Sequence, residues 1–127
     1  MKKLFSLVLA TAAFFAQAQT FPGAKPITFV VPFAAGGPSD RVARDLAEAM
    51  RKSMGGSANF VVENVNGAGG TIGMAKVARA IPDGHTLLLH HIGMASAPGL
   101  YRKLTFKVAD DFEYLGMINE VPMTLIG

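Results

Sequence analysis

The chain has 127 residues, no cysteine and a formal net charge of +3. Without cysteine it can be neither a disulfide scaffold nor a thiolate metal site, and it has no thiol nucleophile. Two of the positive charges, Lys2 and Lys3, belong to an N-terminal leader. The later cations Arg41, Arg44, Arg51 and Lys52 alternate with Asp45 and Glu48 as on a solvated helix face, which argues against a basic stripe for nucleic acid.

In chain order, the basic start, the apolar run Leu4–Phe15 and the small residues of Ala16-Gln17-Ala18 have the layout of a cleaved secretory signal over residues 1–18. The apolar run is shorter than the roughly 18–20 residues needed to span a bilayer. Residues 19–127 are then expected to form the mature chain. Ile27–Val31 (ITFVV), bounded by two prolines, reads as a buried strand. After the loop 32–38, a run with helical spacing starts at Asp40. It buries Val42, Leu46, Met50 and Met54, pairs Glu48 with Lys52 in the favourable i,i+4 order, and stops at Gly55-Gly56.

Phe60–Glu63 is a second strand, and Asn64–Gly70 a second glycine-rich loop. A helix is expected from Thr71 to about Ala80, ended by the turn Pro82-Asp83-Gly84. Thr86–Leu89 is a third strand, and His90–Pro98 reads as a third loop. In the tail, Leu100–Leu104 reads as a helical turn, with strands at Phe112–Ile118 and Met123–Ile126. Strand, helix, strand, helix, strand is the pattern of βαβ units on a parallel sheet, an α/β fold.

In such a sheet the loops after the strands gather at one edge, where ligands bind. Two of the three feed helix N-termini, whose free N–H groups and positive dipole end favour an anion. Taken alone, Gly36 and Gly37 need serve only a tight turn, and Asp40 only a helix cap. Two such loops on one rim favour a carboxylate or phosphate site.

Other chemistries fit less well. Gly67, Gly69 and Gly73 miss the dinucleotide fingerprint, because Ile72 stands where a glycine is required. Neither Ser39 nor Ser96 lies in a nucleophile elbow. His90 and His91 are adjacent and lack further ligands at metal spacing; one is expected to line the rim while the other packs.

The motifs "VPFAAGGPSDRVAR", "VVENVNGAGGTIGMAKVARAIPDGHTLLL", "LYRKL" and "DFEYLGMI" occur in order across the mature chain. Together they closely resemble the Bug-type receptors, the extracytoplasmic substrate-binding proteins of tripartite tricarboxylate transporters. The resemblance implies a βαβαβ parallel-sheet lobe of a type II periplasmic-binding-protein-like fold, with the second lobe missing. It implies a periplasmic protein of Gram-negative type that captures a small carboxylate for a membrane permease or acts as a sensor. No cofactor, metal or catalytic residue is implied.

The resemblance places Phe33, Ala34, Ala35, Gly36, Gly37, Ser39 and Asp40 at the first carboxylate-binding loop, and Gly69, Gly70 and Thr71 at the second. Binding would be mainly through backbone amides and water, with Asp40 as helix cap. The alternatives are a small secreted hydrolase of a carboxylate or phosphate ester, and a truncated remnant without function.

Two departures bear on the ligand. The third loop of such receptors is rich in Thr, Ser and Asn, whereas "HHIGMASAPG" offers His91, Ile92 and Met94. A more apolar distal pocket is therefore expected, with His91 and Met94 as ligand contacts. The second departure is length, since no second lobe is present to exclude water. The isolated chain is accordingly expected to bind carboxylates no tighter than the millimolar range, about 4 kcal/mol. Among them it should prefer acids with an aromatic or aliphatic body to citrate. Isothermal titration checks both expectations; micromolar affinity, or a preference for citrate, would contradict them.

Overall fold

The computed structural model describes residues 21–120. The leader over residues 1–18 and the strand expected at Met123–Ile126 lie outside them. β1 (Ile27–Val31) leads to α1 (Pro38–Ser53), and β2 (Phe60–Asn64) leads through a 3-10 turn (Ala68–Gly70) to α2 (Thr71–Ala78). β3 (Thr86–Leu88) is followed by α3 (Gly93–Leu100). The strands form one parallel sheet in the order β2-β1-β3.

β1 is apolar but for half-buried Thr28, because it is covered on both faces. Alternation along the strand turns Ile27, Phe29 and Val31 to one face and Thr28 and Val30 to the other. On the first face Val31 packs with Ala43 of α1 and with Leu89, flanked by Val42, Leu46 and Val62. On the second, Leu88 packs against Met74 of α2, with Ala97 of α3 and Phe106. Phe29 stands opposite Val62 and Leu87, and Val30 opposite Glu63 and Leu88.

The first helix forms where expected but starts at Pro38, and its buried apolar residues are Ala43 and Ala47, while Val42, Leu46, Met50 and Met54 are half-buried, so the expected burial is corrected. Proline occupies its first turn, Arg51 and Lys52 its last, and both cations pair with Glu48 on the exposed face. Gly55 and Gly56 at positive φ end it. The carbonyl of Val30 still accepts from Leu89 at 3.0 Å, so the ladder reaches one residue beyond Leu88, as expected of a strand over Thr86–Leu89.

Three more expectations are corrected. The third loop is short, because Gly93–Leu100 is helical with Pro98 inside it. Two glycines and a proline read as helix breakers, but Ala97 is 1% exposed against Met74 and Phe106, and that docking holds a helix too short to stand alone. Leu100 ends this helix, and Tyr101–Leu104 is irregular. Phe112–Ile118 forms no strand: Phe112 packs edge-on against Phe106, while Leu115 and Met117 are about three-quarters exposed, at 77% and 74%. A strand needs a neighbour to take its N–H and C=O groups, and this segment pairs with no strand among the described residues.

The chain leaves β1 toward β2 on one side, then returns across the top of β1 to reach β3 on the other. That crossing forces α2 close to the end of β1. A Cβ on Gly73 would lie 2.6 Å from Pro32 Cβ and 3.0 Å from the Val65 carbonyl, whereas one on Gly99 would meet nothing within 4 Å. Gly73→Ala should therefore destabilise the fold by about 1–3 kcal/mol. Gly99→Ala, in open space on a helix, should be neutral or stabilise by up to about 1 kcal/mol. Urea unfolding of both variants checks this; equal effects would show that the crossing is not tightly packed.

Candidate functional site

The loop after β1 is held from below by one carboxylate. Asp40, at the third position of α1, is 3% exposed. Its Oδ2 accepts from the Gly36 amide at 2.9 Å and from Arg44 Nε at 3.0 Å, and its Oδ1 from Arg44 Nη2 and Asn64 Nδ2, each at 3.0 Å. The helix start itself has Gly37 at the cap position with no side-chain cap bond. The cap expected of Asp40 is thus corrected: its side chain reaches back past the start of the helix, as the acidic half of a capping box does. The Arg44 guanidinium, with the Gly36 amide and Asn64 behind it, holds the Asp40 carboxyl well below the usual carboxylate range despite its burial.

Asn64 closes this arrangement from the end of β2. The same Nδ2 that reaches Asp40 also donates to the Phe33 carbonyl at 3.1 Å. Strand alternation puts Asn64 on the α1 face, while its neighbour Glu63 faces α2 and pairs there with Lys76. Gly37 donates to the Ala34 carbonyl at 3.3 Å, so both glycine amides of the loop are taken internally. The amides of Ala34, Ala35 and Ser39 have no protein acceptor among the described residues. Ala34 and Ala35 are exposed, and Ser39 is half-buried. Gly36, at φ +80°, makes the turn that brings them out.

The second loop is tied into the crossing. Gly70 is buried, donates to Gly67, and stands so close to His90 that a Cβ would lie 2.7 Å from its Nε2. A Cβ on Gly69 would meet the Tyr101 hydroxyl at 2.2 Å. Thr71 returns both its amide and its hydroxyl to Ala68.

The third loop supplies an aromatic edge. His91 stacks on Phe33 with ring centres 4.5 Å apart and 17° between planes, and His90 meets Phe33 edge-on at 5.2 Å. His90 Nδ1 lies 2.9 Å from both the amide and the carbonyl of His91, while the Gly93 amide donates to His91 Nδ1 at 2.9 Å, so the neutral His91 ring carries its proton on Nε2. For exposed His91 that proton faces solvent. For His90, Nε2 is buried without a partner, and burial pushes the imidazole pKa down. The expected division, one histidine at the rim and one packed, is met only in part, since both rings line the cleft, His91 exposed and His90 half-buried.

An open cleft joins the first and third loops. Phe33, Ala34, Gly37, Ser39, His91 and Met94 line it, as does His90; Ala35, Gly36, Asp40, Gly69, Gly70 and Thr71 do not. Met94 also packs against the Met74 cluster. The strand order explains the pairing of loops. The connections from β1 and β3 leave toward opposite faces of the sheet, which opens a crevice between these two strands at their C-terminal ends.

The family model described as "Tripartite tricarboxylate transporter family receptor" (TctC) matches residues 42–127. The chain belongs to this family. It is 49% identical over its whole length to a UPF0065 protein from Agrobacterium vitis, in the TAR-I ttuE–ttuC′ intergenic region, and spans 37% of that relative. The periplasmic binding protein BugD superposes with a TM-score of 0.66 at 54% identity, over 70% of this chain and 29% of its own. The receptor MatC of Rhodopseudomonas palustris, solved with bound malate, gives 0.66 at 44% identity, over 72% of this chain and 31% of its own. The chain thus spans little more than a third of its relative and less than a third of either solved structure. The α/β parallel-sheet lobe expected for such a receptor is the fold that is found.

Sequence reading missed Asn64, Arg44 and Tyr101 at this rim. The sequence pattern puts Asn64 in a loop and Arg44 on a helix surface, and only the i,i+4 spacing of Asp40 and Arg44 hints at their pairing.

Two kinds of acid-sensitive group set the expected pH response: His90, and the carboxylates Asp40, Asp83 and Glu48, which Arg44, Lys25 and Arg51 respectively hold below their ordinary range. His90 is held neutral in the fold while an unfolded histidine takes up a proton near pH ~6.5, so stability should fall as pH drops through that value and stay flat above it. Asp40 stays ionised below its usual value of about 3.9, so a second loss should begin only under about pH 4. Urea unfolding from pH 8 to pH 3 checks this, with His90→Gln expected to remove the upper step. A curve level from pH 8 to pH 5 would contradict the burial argument.

Proposed function

We propose that this chain is the N-terminal, carboxylate-gripping lobe of a periplasmic solute receptor. Residues 1–18 direct export and residues 19–127 form the lobe. A tripartite transporter's membrane components, or a sensor, receive the captured solute. Membership of the receptor family supports the class, and malate in a 44% identical relative supports the ligand chemistry. No helix among the described residues is long and apolar enough to cross a membrane.

One observation carries the reading. Ala34 and Ser39 line the cleft at the start of α1, and their amides, with that of exposed Ala35, have no protein acceptor among the described residues, on a loop held by a carboxylate whose charge Arg44 balances. A carboxylate there accepts hydrogen bonds and meets the positive end of the helix. Gly36 and Gly37 shape this loop, and Asp40 anchors it without touching the ligand. Gly69, Gly70 and Thr71 form the flank beyond Pro32. His91 and Met94, with the ring of Phe33, meet the body of the solute. Reading as a receptor needs no catalytic residue.

The test is thermal unfolding of the purified protein with mono-, di- and tricarboxylates, aromatic acids included, at matched ionic strength. A ligand at ten times its Kd stabilises by about 1.4 kcal/mol, several degrees in a domain of this size. A shift with carboxylates at tens of millimolar, and none with chloride, is expected. No shift with any acid, from a chain that melts cooperatively, would set the reading aside for the lone lobe.

A further inference from the structure

We propose that Asn64 and Asp40 act as a positioning clamp for the carboxylate-gripping loop: bridging Phe33, Gly36 and Arg44, they decide which amides the loop offers to an anion. The inference rests on the receptor reading above and adds residues that never touch the ligand.

The geometry is specific on three counts. Asn64 Nδ2 uses its two protons on two parts of one loop system, the Phe33 carbonyl at 3.1 Å and Asp40 Oδ1 at 3.0 Å. Asp40 Oδ2 draws in the Gly36 amide at 2.9 Å, which removes that donor from the rim and leaves the amides of exposed Ala34 and Ala35 without a protein acceptor among the described residues. Arg44 then supplies two parallel bonds, at 3.0 Å each, to the two oxygens of Asp40. Without Arg44, a buried negative charge beside the cradle would repel an arriving carboxylate. With it the pair is neutral overall, and the dipole of α1 remains to attract the anion. Loop, helix start and β2 are thereby locked in one register from both sides of the Asp40 carboxylate.

The same carboxylate tells a positioning role from a contact role. Both Asp40 oxygens are already occupied, one by Gly36 and Arg44 and the other by Arg44 and Asn64. A ligand amine or hydroxyl finds no free acceptor there, so Asp40 acts through Gly36 and Phe33.

The test has a ligand-free arm and a ligand arm. In the first, amide hydrogen exchange and the Gly36 amide proton shift are followed in the protein as purified. Gly36 is expected to be protected, and its shift to move only as pH falls well under the ordinary aspartate range. Asn64→Ala and Asp40→Asn should each cut that protection at least tenfold. In the second arm, malate titration followed by amide shifts at Ala34, Ala35 and Ser39 should give affinities at least tenfold weaker for both variants, with cooperative melting retained.

Arg44→Ala alters an exposed side chain and should weaken malate several-fold; it carries the ligand arm if the buried variants fail to fold. An unprotected Gly36 amide, or one titrating near pH ~4, would overturn the clamp whether or not carboxylates bind. Folded variants that bind malate like the parent would overturn it too. Failure of the parent protein to bind any acid, with Gly36 protected as expected, would overturn the receptor reading of the loop while leaving the clamp's hold on Gly36 established.

Discussion

Parallel pairing of β1 with both of its neighbours is the constraint from which the rest of this molecule follows. A central strand covered on both faces must be largely apolar, and in β1 only half-buried Thr28 departs from this. Its partners run the same way, so every connection must travel back along the sheet, and every strand ends at the same rim. The order β2-β1-β3 then decides which loops become neighbours. The loops after β1 and β3 part toward opposite faces and leave a crevice between them. The loop after β2 must cross the end of β1 and is packed into Pro32 in doing so. Glycine clusters that look alike along the chain therefore serve different ends.

An anion site built on a buried aspartate looks contradictory until the charges are followed. Asp40 is buried, fully hydrogen-bonded and matched by Arg44, so its field at the rim is largely cancelled. A buried carboxylate left unpaired would be costly, whereas this one converts its four bonds into loop geometry. The donors that remain are backbone amides on a fixed frame. In the receptor proposed above, such amides would hold an anion without a second formal charge opposite it.

The residues of β2 show how little separates structure from function here. Glu63 and Asn64 are adjacent, yet strand alternation sends Glu63 to Lys76 on one face and Asn64 to the loop on the other. A slip of one residue in register would exchange their roles. Further along, Ala97 turns a stretch with two glycines and a proline into a helix by docking among Met74 and Phe106. Leu115 and Met117, with nothing to dock on among the described residues, stay in solvent.

By itself the sequence determined the elements whose signal is local. Apolar β-branched runs made β1 and β2, four-residue spacing made α1, and paired glycines ended it, since each rests on periodicity or on a backbone preference carried by the residue itself. The glycine loops and the histidine pair were legible for the same reason. Tertiary structure alone decided which loops share the cleft, that Asp40 ties the loop instead of capping the helix, and that Asn64 takes part. It also decided that Phe112–Ile118 is no strand and that Gly93–Leu100 is a helix. Each of these depends on a partner distant in sequence, the Phe33 carbonyl for Asn64 or the Met74 cluster for Ala97. Local pattern carries no record of which distant group a side chain will meet.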